Sequence, residues 1–167
     1  MFRPLCRTGT VLLIALLAVM PAAGARAATI TAQVNANVVK PLVFTSKQNL
    51  DFGTILLGST ATSTVSLSIT GVLSCGTGLT CSGATRPAIY NVQGSNGQVV
   101  RITAVASDLT NSTNGTKLRF TPVAPTSVTL TNSGAPGKDF NVGGSIAIPA
   151  TTTDGIYTGN IEVTVDY

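Results

Sequence analysis

The chain ends in Asn160-Ile161-Glu162-Val163-Thr164-Val165-Asp166-Tyr167, where polar and apolar side chains alternate at every position. Alternation of this kind is typical of a strand with one face in a core and the other in water. We therefore predict a C-terminal strand whose core face carries Ile161, Val163, Val165 and Tyr167. The pattern runs to the last residue, so we expect the edge of this strand to be uncovered. An uncovered edge favours pairing with a further strand.

A second alternating stretch lies near the N-terminus, from Thr29 to Val39. Polar Thr, Gln and Asn residues occupy one side of it. The apolar side carries Ile30, Ala32, Val34, Ala36 and Val38. We predict that residues 28–39 form a strand that completes a sheet beside the C-terminal strand or one near it. The sequence leaves open whether that sheet belongs to the same chain or to a neighbouring one.

Short alternating runs separated by turns fill the chain between these two stretches. Phe52 and Phe140 each fall on the apolar side of such a run, so we expect both in the core. Ser95-Asn96-Gly97 and Asn114-Gly115 are typical of hairpin turns. About eight to ten short strands at this spacing predict an all-β fold, an immunoglobulin-like antiparallel β-sandwich with Greek-key connections. No change of composition divides the chain after residue 27, so we expect a single domain over residues 28–167.

The first 27 residues have the organisation of a secretory signal peptide. Arg3 and Arg7 precede an apolar run, Val11–Met20, and Ala25-Arg26-Ala27 offers a cleavage site. The run is too short to span a membrane, so we expect cleavage rather than insertion. Removing residues 1–27 takes away three of the ten basic residues and none of the six acidic ones, which leaves a net charge of +1. Such a charge gives no reason to expect nucleic acid as a partner.

Two cysteines, Cys75 and Cys81, remain after that cleavage, since Cys6 leaves with the signal peptide. An even pair of cysteines in an exported protein favours a disulfide. We expect this bond to fasten the tip of a hairpin and to stabilise the fold by about 2 kcal/mol.

Composition argues against catalysis and against a cofactor. The chain has no His, so a Ser–His–Asp or Cys–His nucleophile cannot be built. The acidic residues are scattered singly, with no calcium-binding run and too few ligands for zinc. We therefore predict that the protein is not an enzyme and holds no metal.

Tyr157 precedes the last strand in Asp154-Gly155-Ile156-Tyr157-Thr158-Gly159. A tyrosine at such a corner often bonds its hydroxyl to the backbone of the corner in Greek-key sandwiches. We predict this structural role for Tyr157. The alternative is contact with a ligand.

Three motifs in this order carry a resemblance to a known family. They are Leu50-Asp51-Phe52-Gly53-Thr54-Ile55, Phe140-Asn141-Val142-Gly143-Gly144-Ser145-Ile146, and the run from Gly155 to Tyr167. Together they resemble the secreted bacterial family called domain of unknown function 4402. That family is similar to spore coat protein U-like and other chaperone–usher pilin subunits, which have immunoglobulin-like folds and join by exchanging strands.

The resemblance implies export through the periplasm to the cell surface or the medium. It also implies self-association or assembly with related subunits, helped by a periplasmic chaperone and an outer-membrane usher. Two functions follow as hypotheses. The first is a structural subunit of a surface fibre, with residues 28–39 as the donor strand. The alternative is a freestanding secreted module for adhesion or carbohydrate binding, in which the same strand closes its own sheet.

Overall fold

The computed structural model describes residues 27–58 and 62–167. The predicted signal peptide, apart from Ala27, lies outside these residues. The chain divides into two units between Ala36 and Asn37. In the first unit, the described residues 27–36 contain no helix or strand. The second unit, Asn37–Tyr167, contains every strand described below.

The second unit is built from thirteen β-strands among the described residues, and no helix lies among those residues. The strands are β1 Val43–Gln48, β2 Thr54–Leu57, β3 Ser63–Leu67, β4 Leu73–Cys75, β5 Leu79–Ser82, β6 Ala88–Gln93, β7 Val99–Val105, β8 Ser107–Asn111, β9 Lys117–Val123, β10 Ser127–Thr129, β11 Lys138–Ile148, β12 Tyr157–Thr158 and β13 Glu162–Asp166. The all-β class predicted from the sequence is confirmed.

These strands form three antiparallel sheets. The largest has eight strands, with β1-β6-β11-β9-β8-β12 in order and β3 and β4 attached through β11. A three-stranded sheet has the order β10-β7-β13. A two-stranded ribbon consists of β2 and β5.

Two hydrophobic clusters make up the core. Cluster 1 consists of Phe52, Val65, Leu67, Leu118, Phe120, Ile146 and Ile148. Cluster 2 joins side chains of the eight-stranded and three-stranded sheets, and consists of Ala88, Val92, Val100, Ile102, Leu130, Phe140 and Val142. Phe52 and Phe140 are both buried, as predicted, but in different clusters. Leu50 and Ile161 are half-buried against both clusters and therefore lie where the clusters meet.

Strand β11 connects the two clusters along its length. The apolar alternations Phe140–Val142 and Ile146–Ile148 belong to one strand, since β11 runs unbroken from Lys138 to Ile148. Gly143 and Gly144 interrupt the apolar alternation without interrupting the strand. Both glycines let neighbouring groups approach the backbone closely. A Cβ at Gly143 would overlap the Leu67 carbonyl, and a Cβ at Gly144 would overlap the ring of Phe120.

The two predicted hairpin turns differ in outcome. Asn114-Gly115 joins β8 to β9, which pair antiparallel as a hairpin. The turn at Ser95-Asn96-Gly97 does not make a hairpin, because β6 pairs within the eight-stranded sheet and β7 within the three-stranded sheet. It carries the chain from one sheet to the other. The turn chemistry indicated the reversal but not the sheet that each strand would join.

Residues 28–39 do not form the predicted strand in the single chain. The apolar alternation is present, yet no backbone ladder forms there. A strand needs a partner for its N–H and C=O groups, and no strand among the described residues pairs with this segment.

Candidate functional site

The edge of β13 is the first feature of the candidate site. β13 pairs through its whole length with β7, from Glu162 opposite Val105 to Asp166 opposite Arg101. Its other edge has no partner strand in the described part of the chain. Ile161, Val163, Val165 and Tyr167 are half-buried, and the residues between them are exposed. These four side chains pack against cluster 2, so the unpartnered edge borders the core directly.

A groove of about 1030 Å³ opens beside the start of this strand. One wall is the segment 49–57, which includes β2, and the other is the segment 152–161, which leads into β13. Side chains of both clusters line the groove between these walls, among them Ala88, Phe120 and Ile146. These three side chains are themselves buried, so the groove runs along the surface of the core.

Tyr90 also lines this groove and belongs to a stack of aromatic rings. Its ring stacks with those of Phe44 and Phe140, at centroid distances of 5.2 and 5.8 Å. Burial raises the pKa of the Tyr90 hydroxyl above its ordinary value of 10.0. Tyr90 therefore places a partly buried aromatic side chain in the lining of the groove.

Exposed apolar side chains surround the mouth of the groove. Leu56 on one wall is 64% exposed and Ile156 on the other is 70% exposed, and Leu57 is also exposed. Apolar side chains that flank an apolar channel mark a surface for association. The sequence analysis missed these residues. A signal was present, because Ile55-Leu56-Leu57 is apolar on both faces of a short strand and therefore departs from alternation.

The opposite end of β13 is tied to the start of β1. The Tyr167 hydroxyl donates to the Lys40 carbonyl at 2.6 Å and accepts from the Ser95 backbone N–H at 3.0 Å. The Lys40 N–H donates to the Ser95 hydroxyl at 2.6 Å. These bonds fix the position of Lys40 beside the end of β13. We call this region the Lys40 end.

β1 and β13 run in opposite directions between the Lys40 end and the groove. β1 begins just after Lys40 and is followed by Asn49 and Leu50, which line the groove. β13 begins just after Ile161, which also lines the groove, and is followed by Tyr167 at the Lys40 end. The groove and Lys40 are therefore at opposite ends of these strands.

The N-terminal segment carries an apolar face of its own. Ile30 and Val34 are each 93% exposed and Val38 is 89% exposed, and Ala32 and Ala36 on the same face are exposed as well. Exposure of large apolar side chains to water is unfavourable, and burying each of them would gain about 1.5–3 kcal/mol of free energy.

Tyr157 lies at the corner before β13 and on the wall of the groove. Its hydroxyl donates to the Thr153 carbonyl at 2.9 Å and lies 3.0 Å from the Thr116 hydroxyl. The buried Asn111 side chain holds the same corner by donating to the Asp154 carbonyl at 3.0 Å. These contacts give the wall formed by residues 152–161 a fixed shape.

The disulfide between Cys75 and Cys81 forms, but not at the tip of a hairpin. Cys75 ends β4, which pairs with β3 in the eight-stranded sheet. Cys81 lies in β5, which pairs only with β2. The bond therefore links two sheets, and one of them is the ribbon that forms a wall of the groove.

Charged side chains form surface pairs away from the groove floor. Lys47 bonds Asp139 at 2.6 Å, and Arg119 and Lys117 lie 3.2 and 3.7 Å from Asp108.

Among residues 27–58 and 62–167, no three His, Cys, Asp or Glu side chains come together as metal ligands. In the same part of the chain no helix is long and apolar enough to cross a membrane.

The chain matches a family model. No curated protein and no solved structure matches the chain. A family model described as a domain of unknown function (DUF4402) matches residues 42–167, which is most of the chain and includes both walls of the groove and β13. The protein therefore belongs to the DUF4402 family.

Proposed function

We propose that this protein is a structural subunit of a bacterial surface fibre, assembled by β-strand complementation. In each contact, residues 28–39 of one subunit enter the groove of the next and add a strand to the free edge of β13. The observation that carries the proposal is that one chain has two features that complement each other and that both lack a partner among its described residues. One is an apolar groove beside an unpartnered strand edge, and the other is a segment whose apolar face is exposed.

Strand addition supplies backbone hydrogen bonds along the edge, and alternate side chains fill the apolar channel. Residues 28–39 span about 40 Å when extended. β13 spans about 17 Å, so the donor strand also reaches past it into the groove. Burying Ile30, Val34 and Val38 would contribute about 1.5–3 kcal/mol each, before the entropy cost of ordering the segment.

The direction of the chain favours assembly into an open fibre. The donor segment leaves at the Lys40 end, while the groove opens at the other end of β1 and β13. A contact between different surfaces of identical subunits, placed at opposite ends, propagates head to tail. In this arrangement an added strand restores the immunoglobulin-like sandwich that the single chain leaves open, as in pilin subunits. Export, a periplasmic chaperone and an outer-membrane usher are part of the same proposal.

The freestanding module needs the same segment as a strand in its own sheet. Residues 28–39 have no partner strand among the described residues, so this hypothesis lacks the pairing on which it depends. Within residues 27–58 and 62–167 no cluster of exposed aromatic rings favours it either, because Phe44, Tyr90 and Phe140 stack against one another on the core side.

The two hypotheses predict different behaviour of the purified protein. A fibre subunit should convert over days into oligomers that survive cold detergent and fall to monomer on boiling. Size-exclusion chromatography and unboiled gels would follow the conversion. A protein that stays monomeric at every concentration, with an intact sheet signal by circular dichroism, would contradict the fibre proposal.

A matched pair of substitutions localises the contact to the donor face. Val34→Asp puts an unpaired carboxylate on the face that enters the groove, which is strongly unfavourable. Asn35→Asp adds the same charge one residue away, on the opposite face. We expect Val34→Asp to abolish oligomers and Asn35→Asp to preserve them. Equal loss in both variants would contradict the assignment of the donor face.

A further inference from the structure

The ribbon of β2 and β5 is the least supported wall of the groove. The four residues of β2, Thr54–Leu57, all line the groove. β2 pairs with β5 from Thr54 opposite Ser82 to Leu57 opposite Leu79, and neither strand pairs with another strand in the described part of the chain. The position of this wall therefore depends on how the ribbon is attached to the larger sheet.

At its base the ribbon is attached through a narrow junction. Asp51 and Arg86 exchange two backbone hydrogen bonds of 2.9 and 3.0 Å. Gly53 and Gly83 follow on the two sides, both with positive φ, at 69° and 87°. Glycine has wide conformational freedom in this region. Phe52, between Asp51 and Gly53, is buried in cluster 1, so this junction fixes the base of the ribbon more firmly than its middle.

The chain itself joins β5 to β4 through residues 76–78, and the disulfide adds a further link at the middle of the ribbon. Cys81 lies opposite Ile55 in the middle of the ribbon, and Cys75 lies opposite Val65 on β3 in the eight-stranded sheet. Ile55 and Leu79 add packing against cluster 1, but both remain half-buried. The disulfide thus acts at the centre of the wall. The strands that carry most of cluster 1, β3, β9 and β11, pair with one another independently of the disulfide.

We propose that the Cys75–Cys81 disulfide is a positioning link that holds the β2–β5 ribbon as a fixed wall, so that the oxidised groove binds a strand more tightly than the reduced one. This inference rests on the proposed function. A site already held in its bound shape loses less conformational freedom on binding, so its affinity is higher. In an exported protein the bond forms in an oxidising compartment. The groove therefore reaches its tighter strand-binding form after export.

The test measures binding of a labelled synthetic peptide of residues 28–39 to purified protein that carries Val34→Asp. This substitution disables the donor face and leaves the groove empty. Binding is compared before and after treatment with a dithiol reductant, which gives two electrons and two protons to the bond and leaves two thiols. The Cys75→Ser/Cys81→Ser variant in the same background provides a second form of the protein without the disulfide. Thr80→Ala, an exposed substitution in β5 beside Cys81, is the matched control.

We expect the oxidised protein and the Thr80→Ala control to bind the peptide alike. The reduced protein and the double Ser variant should bind about tenfold more weakly. Equal affinity in oxidised and reduced protein would overturn the positioning role and leave the fibre proposal standing. Failure of the oxidised protein to bind the peptide would overturn the fibre proposal and this inference with it.

Amide hydrogen exchange separates a loosened wall from a lost fold. Reduction should speed exchange in β2 and β5 and leave β6 and β11 protected, since these lie in the eight-stranded sheet. Loss of protection in all strands would show that the disulfide holds the core as a whole, and would overturn the inference.

Discussion

At the scale of single residues, Phe52 and Phe140 test whether the two clusters are both needed for stability. Each ring is buried, Phe52 edge-on to Phe120 and Phe140 stacked on Phe44. We expect Phe52→Ala and Phe140→Ala each to lower the free energy of unfolding by about 3–5 kcal/mol. Denaturant titration measures the change. Val43→Ala, at a half-exposed position, should cost less than about 0.5 kcal/mol. A cost below about 1 kcal/mol for either Phe would place its cluster outside the cooperative core.

The Lys47–Asp139 pair makes a prediction about pH. The hydrogen bond from Lys47, helped by one from Asn91, holds the pKa of Asp139 below its ordinary value of 3.8. A carboxyl with a lowered folded pKa stabilises the fold above its unfolded pKa, and that contribution is lost as the pH falls through the folded value. Lys47→Ala should therefore raise the pKa of Asp139, as measured by NMR titration, and reduce the loss of stability below about pH 4. Lys138→Ala, a neighbouring cation without this contact, should leave the pKa of Asp139 nearly unchanged.

At the scale of strands, β11 shows what alternation alone could not predict. Phe140 was predicted as a core position from the apolar alternation, but Gly143-Gly144 taken alone indicates only backbone freedom. The structure gives another reason for these glycines: Gly143 abuts the backbone of β3 and its following turn, and Gly144 abuts the ring of Phe120. Such close approaches depend on residues far along the chain, so the local pattern does not contain them.

Gly144→Val tests this explanation. Valine has a high strand propensity, so a position that merely needs extended backbone would tolerate it. The close contact with Phe120 predicts instead that overpacking destabilises the fold by about 1–3 kcal/mol. Thermal or denaturant unfolding measures the loss. Thr121→Val, an exposed position in β9, is the control and should be near neutral. A neutral Gly144→Val would show that Phe120 can move aside.

At the scale of the whole molecule, the sequence contained the two ends of the candidate site but not the site itself. The alternation in residues 160–167 predicted β13 and its half-buried face, and the edge proved to have no partner strand among the described residues. The alternation in residues 28–39 predicted a strand, and none forms in the single chain. A one-sided apolar pattern specifies which face should be buried but not which chain buries it. The groove arises from residues spread between Asn49 and Ile161, so only the folded chain brings it together.

Two complementary variants test whether one donor and one groove make each contact between subunits. Val34→Asp disables the donor and keeps the groove. Leu56→Asp/Ile156→Asp places carboxylates at the mouth of the groove, where a docked strand would bury them at a large cost. Because both side chains are exposed in the single chain, the double variant should still fold. Each variant alone should stay monomeric.

A mixture of the two variants should form a dimer and stop there. The Leu56→Asp/Ile156→Asp protein inserts its residues 28–39 into the groove of the Val34→Asp protein. The donor face of the Val34→Asp protein and the groove of the other protein are both disabled, so no third subunit can add. Sedimentation or light scattering should therefore report twice the monomer mass and no larger species. Val99→Asp, which charges an exposed apolar position away from the groove, is the control and should still form long oligomers with wild-type protein. A mixture that stays monomeric would contradict strand donation between subunits, and growth beyond the dimer would show a second contact that neither substitution touches.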